Sequence, residues 1–267
     1  MNQWEGMKST NSNLAVNKVI EVLEYIACYG SAIGLTEISK KTGFNKATTH
    51  RMVSTLKDRG YLNQDEDTKK YCLGNKILEL SHCALNQMRI RQIAIPVLKE
   101  LTRECGETVH LGILDNGDVF YIDTYEGKKV LRVASHIGVR RPAHCSALGK
   151  VMLAFLPPEE QQLFFSRKTL GKYTEHTITG KQELLEHLKE IRRNGYALDN
   201  QELDNGTHCL AAPVRDHHGR IIAAISVSAL VALVPLEKLK EFMPLIVQAA
   251  KDVSLGMGYS ESLEYFK

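Results

Sequence analysis

Apolar residues along the first part of the chain recur three and four positions apart, the spacing of one helical face. From Leu14 to Tyr29, Val16, Val19, Ile20, Leu23, Ile26 and Ala27 mark such a face, and Gly30 stops the run. Thr36 is placed to cap a second, short helix, "EISKKTG", ending at Gly43. Asn45 can cap a third, with Thr49, Met52, Val53 and Leu56 turned inward and Gly60 closing it. The pattern then changes to "YLNQ", a polar turn "DEDTKK" and "YCL", two short strands around a tight connection.

Three helices and a hairpin in about sixty residues match the winged helix-turn-helix, whose third helix enters the major groove of DNA. With its apolar stripe inward, that helix projects Lys46, Ala47, His50, Arg51 and Ser54, with Thr48 at the border. Short polar groups and cations of this kind suit phosphate oxygens and base edges. Lys69 and Lys70 end the hairpin turn and would reach toward phosphates, although Asp65, Glu66 and Asp67 share the turn. The DNA-binding candidates are therefore Lys46, Thr48, His50, Arg51, Lys69 and Lys70.

Residues 75–89 read as a linker helix with no glycine or proline hinge after its start. The helix "RQIAIPVLKELTREC" follows and ends at Gly106. Next, "TVHLGIL", "VFYIDTY" and "KVLRVAS", separated by the turns "DNGD" and "EGK", read as an antiparallel meander. Strands return at "CLAAPVRD" and "IIAAISVSAL", and a last helix is expected from about Pro235 to Leu255. The expected division is a disordered segment 1–12, a winged domain 13–74, the linker 75–89 and a second domain 90–262.

An antiparallel sheet with helices on one face commonly leaves a pocket for a small molecule. Between "RRPAHCS" and "ALGKVMLAF" the chain passes from loop to helix, and the free N–H groups of that first turn suit a carboxylate. Ser226 and Ser228 alternate with Val227 and so share one face of a strand.

Composition narrows this picture only a little. The 267 residues are 43% hydrophobic and 24% charged, and a net charge of +3 gives no general affinity for nucleic acid. DNA contact must come from local clustering. No stretch of eighteen apolar residues occurs and the start has no signal-like core, so a cytoplasmic protein without membrane contact is expected. Six cysteines lack CxxC spacing, and no cofactor or metal is expected.

Seven blocks together are far more specific than any one of them: "NKVIEVLEYIA", "GLTEISKKTGFNKATTHRMVSTLKDRGYL", "YCLGNKILEL", "GETVHLGILDNGDVFYID", "SALGKVMLAF", "RRNGYALDNQELDNGTHCLAAPVRD" and "IIAAISVS". In this order they resemble the IclR-type transcriptional regulators, from about Leu14 to Gly258. The resemblance implies an α+β chain with an N-terminal winged helix-turn-helix, a linker helix and a C-terminal GAF-like α/β effector-binding domain. It also implies that main-chain N–H groups at Ala147 and Leu148 hold the effector's acid group, with Asp199, Cys209, Ser226 and Ser228 around it. The blocks "ETVHLGILD", "HIGVRRPAHCSALGKVMLA" and "MGYSE" are nearest to members that respond to sugar acids.

Two other classes are weighed. His144 with Cys145 and His208 with Cys209 could form a metal- or thiol-dependent sensor or enzyme site, but neighbours on a strand face opposite ways. A winged module that binds only protein would not need the cations Lys46 and Arg51. The expectation is a repressor of a catabolic operon, not an enzyme, which binds double-stranded operator DNA and a small carboxylate effector. It should act as a homodimer or homotetramer, paired through the apolar stripe of Ile77, Leu78, Leu80 and Leu85.

Overall fold

The computed structural model describes residues 13–260, so the expectation for residues 1–12 and the last two positions of 90–262 lie outside the described residues. The chain forms two compact units that divide between Gln87 and Met88.

In the first unit α1 (Leu14–Tyr29) begins where the Asn13 side chain accepts the N–H groups of Ala15 and Val16, and it ends at Gly30 in the left-handed region. Helix α2 (Leu35–Thr42) starts two positions earlier than the sequence suggested: Gly34 stands at the cap and Thr36 lies inside the helix. Asn45 does cap α3 (Lys46–Asp58), its Oδ1 accepting the Thr48 N–H at 2.8 Å. Strands β1 (Leu62–Gln64) and β2 (Tyr71–Leu73) form an antiparallel hairpin with Leu62 opposite Leu73. Val22, Ile26, Ile38, Val53, Leu56, Leu62 and Tyr71 bury against one another and hold helices and hairpin together. Each such side chain contributes about 1.5–3 kcal/mol when fully withdrawn from water. Helix α4 (Asn75–Gln87) differs, because none of its residues is buried.

The second unit opens with α5 (Arg89–Cys105), then β3 (Thr108–Asp115), β4 (Asp118–Tyr125) and β5 (Arg140–Pro142). A short 3-10 turn, Ala143–Cys145, leads into α6 (Ala147–Ala154), followed by α7 (Pro158–Arg167) and α8 (Lys181–Asn194). Strands β6 (Ala197–Asn200), β7 (Thr207–Arg215) and β8 (Ile221–Leu230) return to the sheet before α9 (Leu236–Glu241) and α10 (Met243–Gly256). The six strands run β5-β4-β3-β8-β7-β6, with every neighbouring pair antiparallel.

Helices cover both faces of this sheet, not one. Ala223, Ile225, Val227 and Ala229 of β8 pack with α5, α9 and α10, while Ala224 of the same strand packs with α6 and α8. The intervening Ser226 and Ser228 face the α6 side by the period of two.

Three further expectations are corrected. "KVLRVAS" is not a strand: Val130 is 93% exposed and Leu131 64%, so no packing rewards an extended pairing, and β5 takes the place beside β4. Asp199, open to a loop assignment, lies in a strand, β6. The last helix breaks at Phe242, because Pro244 has no N–H for a continuous ladder.

Candidate DNA interface and ligand cavity

On α3 the buried side chains are Thr49, Val53 and Leu56, and Met52 is half-buried. The opposite face leaves Lys46, Ala47, His50 and Arg51 exposed and Thr48 half-buried. Among the described residues Lys46, His50 and Arg51 have no side-chain hydrogen bond or ion pair. The hairpin is tied to this helix: Lys57 Nζ donates to Gln64 Oε1 at 3.1 Å, and Gln64 Nε2 donates to the Lys69 carbonyl at 3.1 Å. Asp65 is spent inside the turn, where Oδ1 accepts the Thr68 N–H and hydroxyl at 2.7 and 2.6 Å. Lys69, at φ 55°, and Lys70 are left exposed at the tip without ion pairs among the described residues.

The second unit places all six other candidates around one cavity of about 50 Å³, whose lining includes Ala147, Leu148, Asp199, Cys209, Ser226 and Ser228. Register explains their meeting. Asp199 stands opposite Cys209, Cys209 opposite Ser228, and Ser226 opposite His110, so one sheet face collects residues from four strand segments. The 3-10 turn packs directly on the first turn of α6 because position 149 is glycine: a Cβ there would come within 2.2 Å of the Ala143 carbonyl oxygen.

At the start of α6 the Ser146 hydroxyl accepts the Gly149 N–H at 3.3 Å, and the ladder begins with Lys150 N–H to Ser146 O at 2.9 Å. The N–H groups of Ala147 and Leu148 thus stand before the ladder, at the positive end of the helix.

Several polar residues in the lining were not singled out from sequence: His110, Tyr121, Ser135, Arg141, Asp204 and Thr207. Ser228 Oγ lies 3.0 Å from Cys209 Sγ and 3.4 Å from His110 Nδ1. His110 Nε2 and Ser135 Oγ are buried without a partner among the described residues. Burial, and then the Arg141 charge, push the His110 imidazole down to about 3, so it is neutral near pH 7. Burial also raises the Cys209 thiol, with Asp199 adding to the effect, which removes thiolate chemistry at that sulfur.

Asp199 is buried and its carboxyl is pushed up to about 7, first by burial and then by Glu202, with Lys150 opposing. Its Oδ1 accepts the Glu202 N–H at 2.8 Å. The fully buried Lys150 pairs with Glu202 and also reaches the Leu198 carbonyl at 2.6 Å and His187 Nε2 at 3.2 Å.

The His/Cys pairs do not assemble. His144 Nε2 lies 2.9 Å from the Gly171 carbonyl, and His208 is absent from the lining that contains Cys209, as strand alternation requires. No helix among the described residues is long and apolar enough to cross a membrane.

A winged helix-turn-helix followed by an α/β unit with an internal polar cavity defines a class: the transcriptional regulators that join a DNA reader to a ligand-binding domain. The family models agree on the particular one. Residues 15–66 match the IclR helix-turn-helix domain, and residues 82–255 match the bacterial transcriptional regulator IclR C-terminal domain. The chain belongs to the IclR family, whose members are DNA-binding transcriptional regulators and not enzymes. It is 36% identical over 245 residues to the HTH-type transcriptional regulator XynR of Escherichia coli, covering 92% of this chain and 97% of that one. The crystal structure of the Thermotoga maritima IclR matches with a TM-score of 0.77 at 30% identity, covering 91% of this chain and 98% of that one. An IclR homologue from Microbacterium hydrocarbonoxydans, solved in complex with 4-hydroxybenzoate, shares the fold with a TM-score of 0.80 at 24% identity, over 91% of this chain and 98% of that one.

Proposed function

We propose that this regulator is a repressor of a catabolic operon, acting in the cytoplasm and gated by a small carboxylate, of which a sugar acid fits best. The observation that supports this reading is the single cavity that unites unladdered N–H groups with hydroxyl-binding side chains. The carboxylate would sit on the N–H groups of Ala147 and Leu148, with Arg141 adding positive charge. Asp199, Ser226 and Ser228 would bond the hydroxyls of a sugar acid, with Cys209 packed beside them. The unpartnered His110 Nε2 and Ser135 Oγ give a polyol two more partners.

At about 50 Å³ the cavity is much smaller than the roughly 300 Å³ or more of an occupied ligand site. Entry must therefore enlarge it. The segment carrying Val133, Ala134 and Ser135 has no regular structure, so it would be the wall that yields, with the hydrogen bond from Thr108 Oγ1 to the Val133 carbonyl at 2.7 Å as a restraint to break.

Lys46, Thr48, His50 and Arg51 would read the operator, and Lys69 and Lys70 would hold flanking phosphates. One winged unit supplies too few contacts for useful selectivity, so a homodimer or homotetramer is proposed, paired through α4, where Leu78 is 70% exposed and Leu80 46%. Footprinting on the DNA flanking the protein's own gene tests the reading. Protection of paired half-sites, released by one member of a sugar-acid panel, is expected. Absence of protection would remove the operator role, and protection indifferent to every acid in the panel would remove the proposed effector class.

A further inference from the structure

A second and larger cavity, of about 410 Å³, lies at the other end of α6, lined by Phe155, Glu160, Arg192, Arg215, Arg220 and Tyr259 among others. It draws on the last turn of α8 and on the turn between β7 and β8. The effector cavity uses the first turn of α6 and the middle of the same strands, so no lining residue is shared.

The charge balance here is distinctive. Arg220 is matched by Asp216, with Nε and Nη2 at 3.3 and 3.2 Å from Oδ2. Arg215 donates Nη1 to the Gly219 carbonyl at 3.0 Å and otherwise lies over aromatic rings, 4.7 Å from the Phe155 centroid and 5.9 Å from that of Tyr259. Arg192 stands 5.9 Å from the Phe155 centroid. Among the described residues neither Arg192 nor Arg215 forms an ion pair, and Glu160 is the one carboxylate in the lining. Each guanidinium has five N–H groups in a fixed fork, and among the described residues the one side-chain hydrogen bond that the two make is Arg215 Nη1 to the Gly219 carbonyl.

We infer that this cavity is a binding site for an organic dianion with an apolar body, such as an aromatic phosphate monoester or dicarboxylate. Two guanidinium groups take the paired charge by forked hydrogen bonds, while Phe155, Leu156, Pro157 and Ile221 receive the apolar part. A volume of about 410 Å³ is in the range of small-molecule sites and is far more than an inorganic anion fills.

Calorimetry on the full chain at low ionic strength tests this, with phenyl phosphate as probe and inorganic phosphate as comparison. The expected result is saturable binding of phenyl phosphate, at least tenfold tighter than inorganic phosphate. Arg192→Gln, at an exposed helix position, should weaken it about tenfold, consistent with the loss of a charge-assisted contact. Arg215→Gln should do the same, and Arg193→Gln, the adjacent cation outside the lining, should leave it unchanged. The inference is overturned by absence of saturable binding, or by equal losses in Arg192→Gln and Arg193→Gln, which would mean surface charge alone. Loss in Ser226→Ala but not in Arg192→Gln would place the probe in the effector cavity instead. Binding seen only after removal of residues 261–267, which include Glu261 and Glu264, would assign the cavity to the chain's own acidic end.

Discussion

Asp199→Asn keeps the shape of the side chain and removes its titration, which isolates the electrostatic cost of one buried carboxyl. In the fold Asp199 holds its proton up to about pH 7, against an ordinary value of 3.8. The unfolded chain therefore loses that proton first. The contribution is full below about pH 4, declines as pH rises, and is lost above about pH 7. Each tenfold change in proton affinity is worth about 1.4 kcal/mol. The displacement from 3.8 to about 7 amounts to at most about 4 kcal/mol. His110 acts oppositely over the same range: held neutral down to about 3, it costs stability as pH falls below its ordinary 6.5. Only the difference between wild type and variant separates the two. Urea unfolding followed by circular dichroism, from pH 5 to 8, should show Asp199→Asn gaining on the wild type as pH rises, by a few kcal/mol. Parallel profiles would refute the reasoning. The same proton couples to the proposed effector: an anion beside Asp199 favours its protonated form, so effector affinity should fall as pH rises through about 7 in the wild type and less so in the variant.

Arg51→Ala and His50→Ala should each weaken specific operator binding by about 1–3 kcal/mol, measured by gel shift; unchanged affinity in both would remove α3 as the reader. Lys69→Ala and Lys70→Ala should instead lower affinity on all sequences and reduce the salt slope by about one contact each, and an unaltered slope would take the hairpin out of the interface. Leu78→Glu, at a 70% exposed position on a helix with no buried residue, should shift the protein toward monomer in sedimentation, since an unpaired charge in an apolar seam is costly. An unchanged assembly would move the contact elsewhere.

Local features were legible in the sequence. Asn45 as a cap, the inward Thr49, Val53 and Leu56, and the hairpin after Gly60 depend on neighbours within a few residues, and each is seen in the fold. The shared face of Ser226 and Ser228 followed from alternation alone. Their companions did not, because Ser228 meets His110 across 118 residues of chain and no local pattern announces that β3 pairs with β8. Arg141 was inside a quoted block yet unassigned, since its place depends on β5 closing the sheet edge. "KVLRVAS" misled for a related reason: alternation reports what a strand would look like, but only packing decides whether one forms, and Val130 has nothing to pack on.

Operator binding by the wild type and by Ser226→Ala, titrated with each acid of the sugar-acid panel, tests most directly whether sensing and DNA reading are separate. Ser226 is buried in the cavity of the second unit, whereas α3 and its exposed cations belong to the first. The account predicts equal affinity for bare operator in both proteins and, for the acid that releases the wild type, a roughly tenfold to hundredfold higher concentration needed in Ser226→Ala. Release of both proteins at the same concentration, or collapse of bare operator binding in the variant, would contradict it.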